Sequence, residues 1–160
     1  MPFQIPRSPY DTLDGLIYFP RMLDKIRLHA AGELAPEYHP LLGLGFDQYC
    51  LHFLHVEYSA LCARVLAGGM DEELLEWCFQ HGRRPSDEEI DIWNQFARKR
   101  GWRDASRDRI DFRLKESGLE HRAAEAVTMF DFIEIDEGRT PPDFSNWEPT
   151  LTQVPPPSQP

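Results

Sequence analysis

The 160-residue chain has a formal net charge of −10 and contains 41% hydrophobic and 28% charged residues, a balance typical of globular proteins in water. Its length fits one domain with a sizeable core, and no apolar run approaches the roughly 20 residues needed to span a bilayer. Three prolines interrupt the first ten residues, where a secretory signal would need an apolar core, so a cytoplasmic location is expected.

The first predicted element is a basic helix over residues 19–31, FPRMLDKIRLHAA, in an otherwise acidic chain. Apolar side chains recur along it at helical spacing, which predicts one buried face. These apolar residues are Phe19, Met22, Leu23, Ile26 and Ala30. The polar residues around that face are Arg21, Asp24, Lys25, Arg27 and His29. The excess of cations predicts a helix that binds an anion or an acidic partner, or one that pairs with acidic segments of the same chain.

A loop and three helices are predicted next. Residues 32–45 are expected to form the loop, because two prolines and two glycines would interrupt any regular element. Apolar spacing then predicts helices from Phe46 to Leu54, from Tyr58 to a stop at Gly68, and from Asp71 to Gly82. Asp71 is the expected N-cap of the third helix. The three cysteines of these helices are expected to pack as small apolar side chains.

A capped helix follows, beginning at Ser86. Residues 86–89, Ser-Asp-Glu-Glu, form a capping box in which the serine hydroxyl accepts from a helix amide and Glu89 reaches back. The predicted inner face carries Ile90, Trp93, Phe96 and Ala97. The last turn, where the helix dipole favours cations, holds Arg98, Lys99 and Arg100.

Two more helices are predicted over residues 104–117 and 121–137. From residue 140 onward the chain holds seven of its fourteen prolines, so residues 140–160 are predicted to be a flexible, proline-rich tail. No run alternates apolar and polar residues as a strand does. The predicted fold is therefore all-α: a compact single-domain bundle of about six to seven short helices over residues 1–139.

Charge is spread unevenly along the chain. Residues 36–82 and residues 123–160 each sum to −6, whereas the most basic stretch, residues 83–122, sums to only +2. Because a nucleic-acid-binding face needs a strong basic excess, neither nucleic acid nor a membrane is expected as a partner. A local pocket for an anion remains compatible with this distribution.

A metal site would have to use two histidines. His52 and His55 stand three residues apart on a predicted helix, so they share a face, and Glu57 follows. Two imidazoles and a carboxylate suit a transition metal. The pair lacks a firm third ligand and the longer signature of a helical metal motif, so solvated histidines are favoured and no cofactor is assigned.

Arg83 and Arg84 precede the capped helix, where guanidinium groups can hold a carboxylate or phosphate. Ser86 and Glu89 already use the amides of that helix start, so a salt link to the acidic segment 71–76 is favoured. His29 lies at the end of the basic helix, where a protonated imidazole would favour the helix C-terminus.

Four blocks of the chain resemble an uncharacterised bacterial family catalogued as domain of unknown function 5069. They are PRMLDKIRLHAAG, LGLGFD, RVLAGGMDEELLEWC and GRRPSDEEIDIWNQFARKRGWRD, between residues 20 and 104. The resemblance implies small, mostly single-domain proteins with no assigned activity, cofactor or catalytic residue. The family does not typically carry histidine at both His52 and His55, which further disfavours the metal site.

Two classes of function and one structural alternative follow. The first is a non-enzymatic binding protein in which Arg21 to His29, with Arg83 and Arg84, receive an acidic partner or a small anionic ligand. The second is a small enzyme, either a metal-assisted hydrolase at His52 and His55 or an acid–base catalyst at His29. In the structural alternative, Arg21 and Arg27 neutralise acids of residues 36–82 or 123–137. The sequence also allows a homo-oligomer.

Overall fold

The computed structural model describes residues 2–143, and regular structure there is almost entirely helical. The α-helices are α1 (Phe19–Ala30), α2 (Phe46–Leu54), α3 (Tyr58–Leu66), α4 (Asp71–His81), α5 (Asp87–Lys99), α6 (Arg107–Glu116) and α7 (Met129–Asp136). Two short 3-10 helices join them, Pro36–Leu41 and Glu120–Arg122. The predicted all-α class and number of helices are confirmed. From residue 144 onward, the predicted proline-rich tail lies outside the described residues.

A tight hairpin that sequence analysis did not predict precedes α1. Its strands β1 (Thr12–Leu13) and β2 (Leu16–Ile17) pair antiparallel. The turn residues Asp14 and Gly15 both have positive φ, 47° and 81°, which suits a two-residue hairpin turn. Strands of two residues are too short to show alternation, but the Asp-Gly pair is itself a sequence signal for this turn.

The main core forms around α1. Met22 is fully buried and packs with buried residues of the hairpin and of α2 to α5. Three hydrogen bonds fasten α5 to the hairpin. Trp93 Nε1 donates to Ile17 O over 3.1 Å, Ile17 N donates to Asn94 Oδ1 over 3.0 Å, and Asn94 Nδ2 donates to Gly15 O over 2.7 Å. The predicted buried face of α1 is confirmed except at its end, where Ala30 is exposed.

A second, smaller core packs α6 against α7. Phe130 of α7 belongs to the main core, whereas Phe132 and Ile135 pack with Ile110 and Leu114 of α6. The single helix α7 therefore joins the two cores. Within residues 2–143, no helix has both the length and the apolar character that crossing a membrane requires.

The prediction of one helix over residues 121–137 is wrong for the first half of that segment. A 3-10 turn is followed by α7, because Thr128 has an extended backbone and starts a new helix. Thr128 Oγ1 accepts from Asp131 N over 3.2 Å, and Asp131 Oδ2 accepts in return from Thr128 N over 3.2 Å. This reciprocal capping satisfies the amides of a helix start, so the chain begins a helix here.

Three smaller predictions also need correction. The loop predicted over residues 32–45 contains a 3-10 helix that begins at Pro36, where proline has a suitable φ. Helix α6 is shorter than the predicted 104–117. Asp71 is the first residue of α4 and not its N-cap, and its carboxylate binds two arginines.

Gly82 ends α4 at a point where two backbones come close. Arg83 N donates to Leu54 O over 2.9 Å, and a Cβ at Gly82 would lie 2.0 Å from that same carbonyl oxygen. No side chain fits there unless the backbone moves, so glycine is required for steric reasons.

We expect Gly82→Ala to lower the free energy of unfolding by about 3 kcal/mol, because the backbone at α2 or α4 must shift. Urea denaturation followed by circular dichroism measures this loss. Gly118→Ala is the control, since Gly118 has a φ of +69° but open space around its Cβ. A cost of about 1 kcal/mol is expected for the control, and equal losses in the two variants would contradict the steric explanation.

Candidate functional site

Three basic residues of α1 bind carboxylates from other elements, and Arg21 is the most deeply placed. It forms a bidentate ion pair with Glu137, just after α7, with Nη1–Oε1 at 2.7 Å and Nη2–Oε2 at 2.9 Å. The two side chains are only 5% and 4% exposed. Tyr38 Oη also donates to Glu137 over 2.6 Å. Burial alone would raise the pKa of Glu137, but Arg21 and Tyr38 hold that pKa below its ordinary value.

Lys25, one turn further along α1, belongs to a second buried cluster. Its Nζ lies 2.7 Å from Asp47 Oδ1 in α2 and donates to Tyr18 Oη over 3.0 Å. Tyr18 Oη donates in turn to Asp47 over 2.6 Å. Burial lowers the pKa of Lys25, although the negative charge of Asp47 opposes the shift. Tyr18 has a φ of 77°, a strained conformation for a bulky residue, and these hydrogen bonds help to hold it.

Two arginines and two aspartates connect α1 to α4 and to the N-terminal segment. Arg27 binds Asp71 over 2.7 Å, and Arg7 bridges Asp71 and Asp24 with contacts of 2.8 Å to each. Burial would raise the pKa of Asp71, but the two arginines hold it below its ordinary value. Asp24, a predicted site residue, therefore serves as a partner of Arg7.

These contacts confirm the structural alternative for α1. Arg21 pairs with an acid of residues 123–137, and Arg27 pairs with an acid of residues 36–82. The binding of an outside partner at α1 stays a prediction.

The candidate histidines are exposed and are not gathered into one site. His29 contacts the ring of His39, with the ring centroids 4.6 Å apart. His52 lies in the last turn of α2, but His55 is the left-handed residue that follows the helix, so their helical spacing is lost. Within the described part of the chain, no three His, Cys, Asp or Glu side chains are grouped so that they could hold a metal ion. This geometry gives the metal hypothesis no support.

Arg83 and Arg84 bind different partners. Arg84 Nη2 lies 2.5 Å from Glu76 Oε2, which confirms the salt link predicted to residues 71–76. Arg83 pairs instead with Glu89, over 2.9 Å, and so reinforces the capping box of α5. Both arginines are thus held by carboxylates of the chain itself.

A cavity of about 740 Å³ lies at the C-terminal end of α5. Three segments line it: residues 95–102 at the end of α5, residues 124–131 leading into α7, and residues 140–143. We call it the α5–α7 cavity. Its volume falls within the range of small-molecule sites, and its wall is mostly apolar, with Trp102 and Val127 among the exposed side chains.

Two cations on this wall, Arg98 and Lys99, have no ion pair with any residue between 2 and 143. Arg98 Nε is also buried and has no hydrogen-bond partner there. Buried N–H groups are nearly always hydrogen-bonded, so this unpaired donor is an exception among the described residues.

The acidic side chains on the wall are already engaged. Glu125 binds Arg122 over 2.5 Å, and Asp131 accepts from Tyr10 Oη over 2.6 Å. Burial raises the pKa of Asp131, although the hydrogen bonds of Asp131 with Tyr10 and Thr128 oppose the shift. Asp143, the third acidic residue on the wall, is likewise not free. The wall therefore offers an approaching anion two cations that have no ion pair among residues 2–143, and acids that are bound to other groups.

Trp102 is fixed beside the cavity by its neighbour. The Arg103 guanidinium lies 5.1 Å from the centre of the indole ring, a cation–π contact. Arg103 has a φ of 53°, which is uncommon for a residue with a side chain. Neither residue belongs to a ligand site predicted from the sequence.

Residues 3–139 match the family described as domain of unknown function (DUF5069). The match covers most of the chain, so the chain belongs to this family, and the resemblance seen in its sequence blocks is confirmed. No curated protein matches the chain. The family description carries no activity, so the function has to be argued from the geometry.

We expect Glu137→Gln to lower the free energy of unfolding at neutral pH by about 3–5 kcal/mol, because Arg21 would keep a buried charge without its carboxylate. The pKa of Glu137 is lowered in the folded protein, so its stabilisation is present at neutral pH. That stabilisation is lost as the pH falls below about 4.3 and through the lowered value. The difference between wild type and variant should therefore narrow in acid, as urea denaturation at several pH values would show.

The matched control is Glu76→Gln, which removes an exposed ion pair with Arg84. A loss of less than about 1 kcal/mol is expected. Similar losses in both variants, or a Glu137→Gln effect that does not change in acid, would show that the buried pair does not stabilise the fold as described.

Proposed function

We propose that this protein is a non-catalytic binding protein whose ligand is a small organic anion held in the α5–α7 cavity. The observation that carries the proposal is an apolar cavity with two cations that lack ion pairs among the described residues. A small anionic ligand is one of the two alternatives predicted from the sequence, the other being an acidic partner. The proposed site lies at the end of α5 and not on α1.

Two parts of the ligand would bind to two parts of the wall. An acidic group would accept from the guanidinium group of Arg98, which lines the cavity, and would be attracted by Lys99. A hydrogen bond between charged groups contributes about 1.5–3 kcal/mol. The apolar body would lie against Trp102 and Val127 and gain about 25 cal/mol for each Å² it buries. This chemistry favours an aromatic or aliphatic acid over an inorganic anion.

The binding test uses the fluorescent aromatic anion anilinonaphthalene sulfonate as the probe. We expect it to bind wild type saturably at one site per chain and to bind Arg98→Met at least about tenfold more weakly. Methionine keeps much of the length and apolar contact of arginine but removes its charge and its donors. Fluorescence titration measures both affinities.

Two controls separate the anion site from general apolar binding. Arg109→Met removes an exposed arginine of α6 that does not line the cavity, so the affinity should not change. The neutral probe phenylnaphthylamine lacks the sulfonate and should bind wild type and Arg98→Met alike. An equal loss in the Arg98 and Arg109 variants, or full binding by Arg98→Met, would refute the proposal.

A further inference from the structure

One side of α5 faces away from the core and carries a stripe of four residues. Trp93 and Ala97 occupy the inward side and are buried. Residues spaced by three or four positions along a helix share a face, and the outward stripe consists of Glu88, Ile92, Phe96 and Lys99. We call this set the α5 stripe.

The centre of the α5 stripe is apolar and exposed. Ile92 is 62% exposed, and Phe96, which was predicted to face the core, is 40% exposed. Tyr49 of α2 extends the patch: it is 41% exposed, and its ring contacts Phe96 edge-on at 5.8 Å. Large side chains that join into one exposed apolar surface are typical of an interface.

The ends of the α5 stripe carry opposite charges. Glu88 lies one turn before Ile92, and Lys99 lies about one turn after Phe96, so the two charges stand about 6 Å and 4.5 Å beyond the apolar centre. Both side chains are exposed, and neither forms an ion pair with another described residue. The stripe is thus acidic at one end, apolar in the middle and basic at the other end.

We propose that the α5 stripe is the interface of a homodimer in which the α5 helices of two copies pack antiparallel about a twofold axis. In that arrangement Ile92 faces the second copy's Phe96, and Glu88 faces the second copy's Lys99. Because the axis repeats each contact, the interface contains two ion pairs around a shared apolar centre. A parallel arrangement would instead bring like charges together at both ends, so charge complementarity selects the antiparallel pair.

The first experiment measures the mass of the full chain in solution by sedimentation velocity over a wide range of protein concentration, with no ligand added. Wild type should form a dimer, and Ile92→Glu should weaken it at least about thirtyfold, since the change occurs twice at the interface centre. Phe112→Glu is the matched control, because Phe112 is also 62% exposed but lies on α6. The control should dimerise as wild type does, and circular dichroism should show that both variants remain folded.

Charge reversal then tests the orientation of the two helices. Glu88→Lys and Lys99→Glu should each weaken the dimer at least about tenfold, because both contacts become repulsive. Mixing the two single variants should restore association as a heterodimer, in which every lysine faces a glutamate. The double variant Glu88→Lys/Lys99→Glu should dimerise as wild type does. In a parallel pair each residue would face its own copy, so the single reversals would leave the number of like-charge contacts unchanged, and single variants that dimerise as wild type does would refute the antiparallel arrangement.

A wild type that stays monomeric at every concentration would overturn the proposal, as would a double variant that is as weak as the single variants. A dimer that Ile92→Glu leaves intact would place the interface elsewhere and would equally refute it. Lys99 also lines the α5–α7 cavity, so all of these measurements are made without a ligand, and the Ile92→Glu arm tests the dimer with a residue that does not line the cavity.

Discussion

The charges that α1 carries into the interior must each meet an opposite charge there, and this requirement positions much of the fold. An unpaired ion in the interior costs several kcal/mol, so a buried guanidinium or ammonium cannot be left without a carboxylate. Arg21 brings the end of α7 against α1, and Lys25 brings the start of α2. Arg27, whose side chain is 36% exposed, adds a contact with the start of α4 nearer the surface. One helix thus specifies three neighbours through electrostatics as well as through its apolar face.

The sequence predicted best those parts of the fold that are decided locally. The capping box at Ser86 and Glu89 depends on four consecutive residues, and its hydrogen bonds form as predicted. The hairpin also had a local signal, the Asp14-Gly15 turn, but its strands are too short for their alternation to reveal them. The helix predicted over 121–137 failed because apolar spacing alone does not show that Thr128 caps a new helix. Periodicity predicts that a segment is helical more reliably than it predicts where the helix begins.

The sites were harder to predict because they join distant parts of the chain. The excess of cations on α1 was evident from the sequence, but the partner of Arg21 lies 116 residues away, and no local pattern identifies it. Arg98 and Lys99 were explained by the dipole of their own helix, which is correct for an isolated helix and incomplete for the folded protein. Their place on a cavity wall arises only when the segments 124–131 and 140–143 fold against the end of α5.

The same electrostatic rule that positions the helices also favours the end of α5 over α1 as a site for an anion. At Arg21, a ligand would have to displace Glu137, and this buried carboxylate would lose its bidentate partner and keep only Arg139 as a cation. Breaking a buried pair by removing one partner costs about 3–5 kcal/mol, about half of the roughly 8 kcal/mol that a micromolar ligand gains in total. At Arg98, an incoming acid breaks no ion pair of the described chain and supplies a counter-charge to a guanidinium on the cavity wall. The ion pairs of α1 therefore stabilise the fold, whereas Arg98 and Lys99, which have no ion pair among the described residues, can pair with a ligand in the α5–α7 cavity.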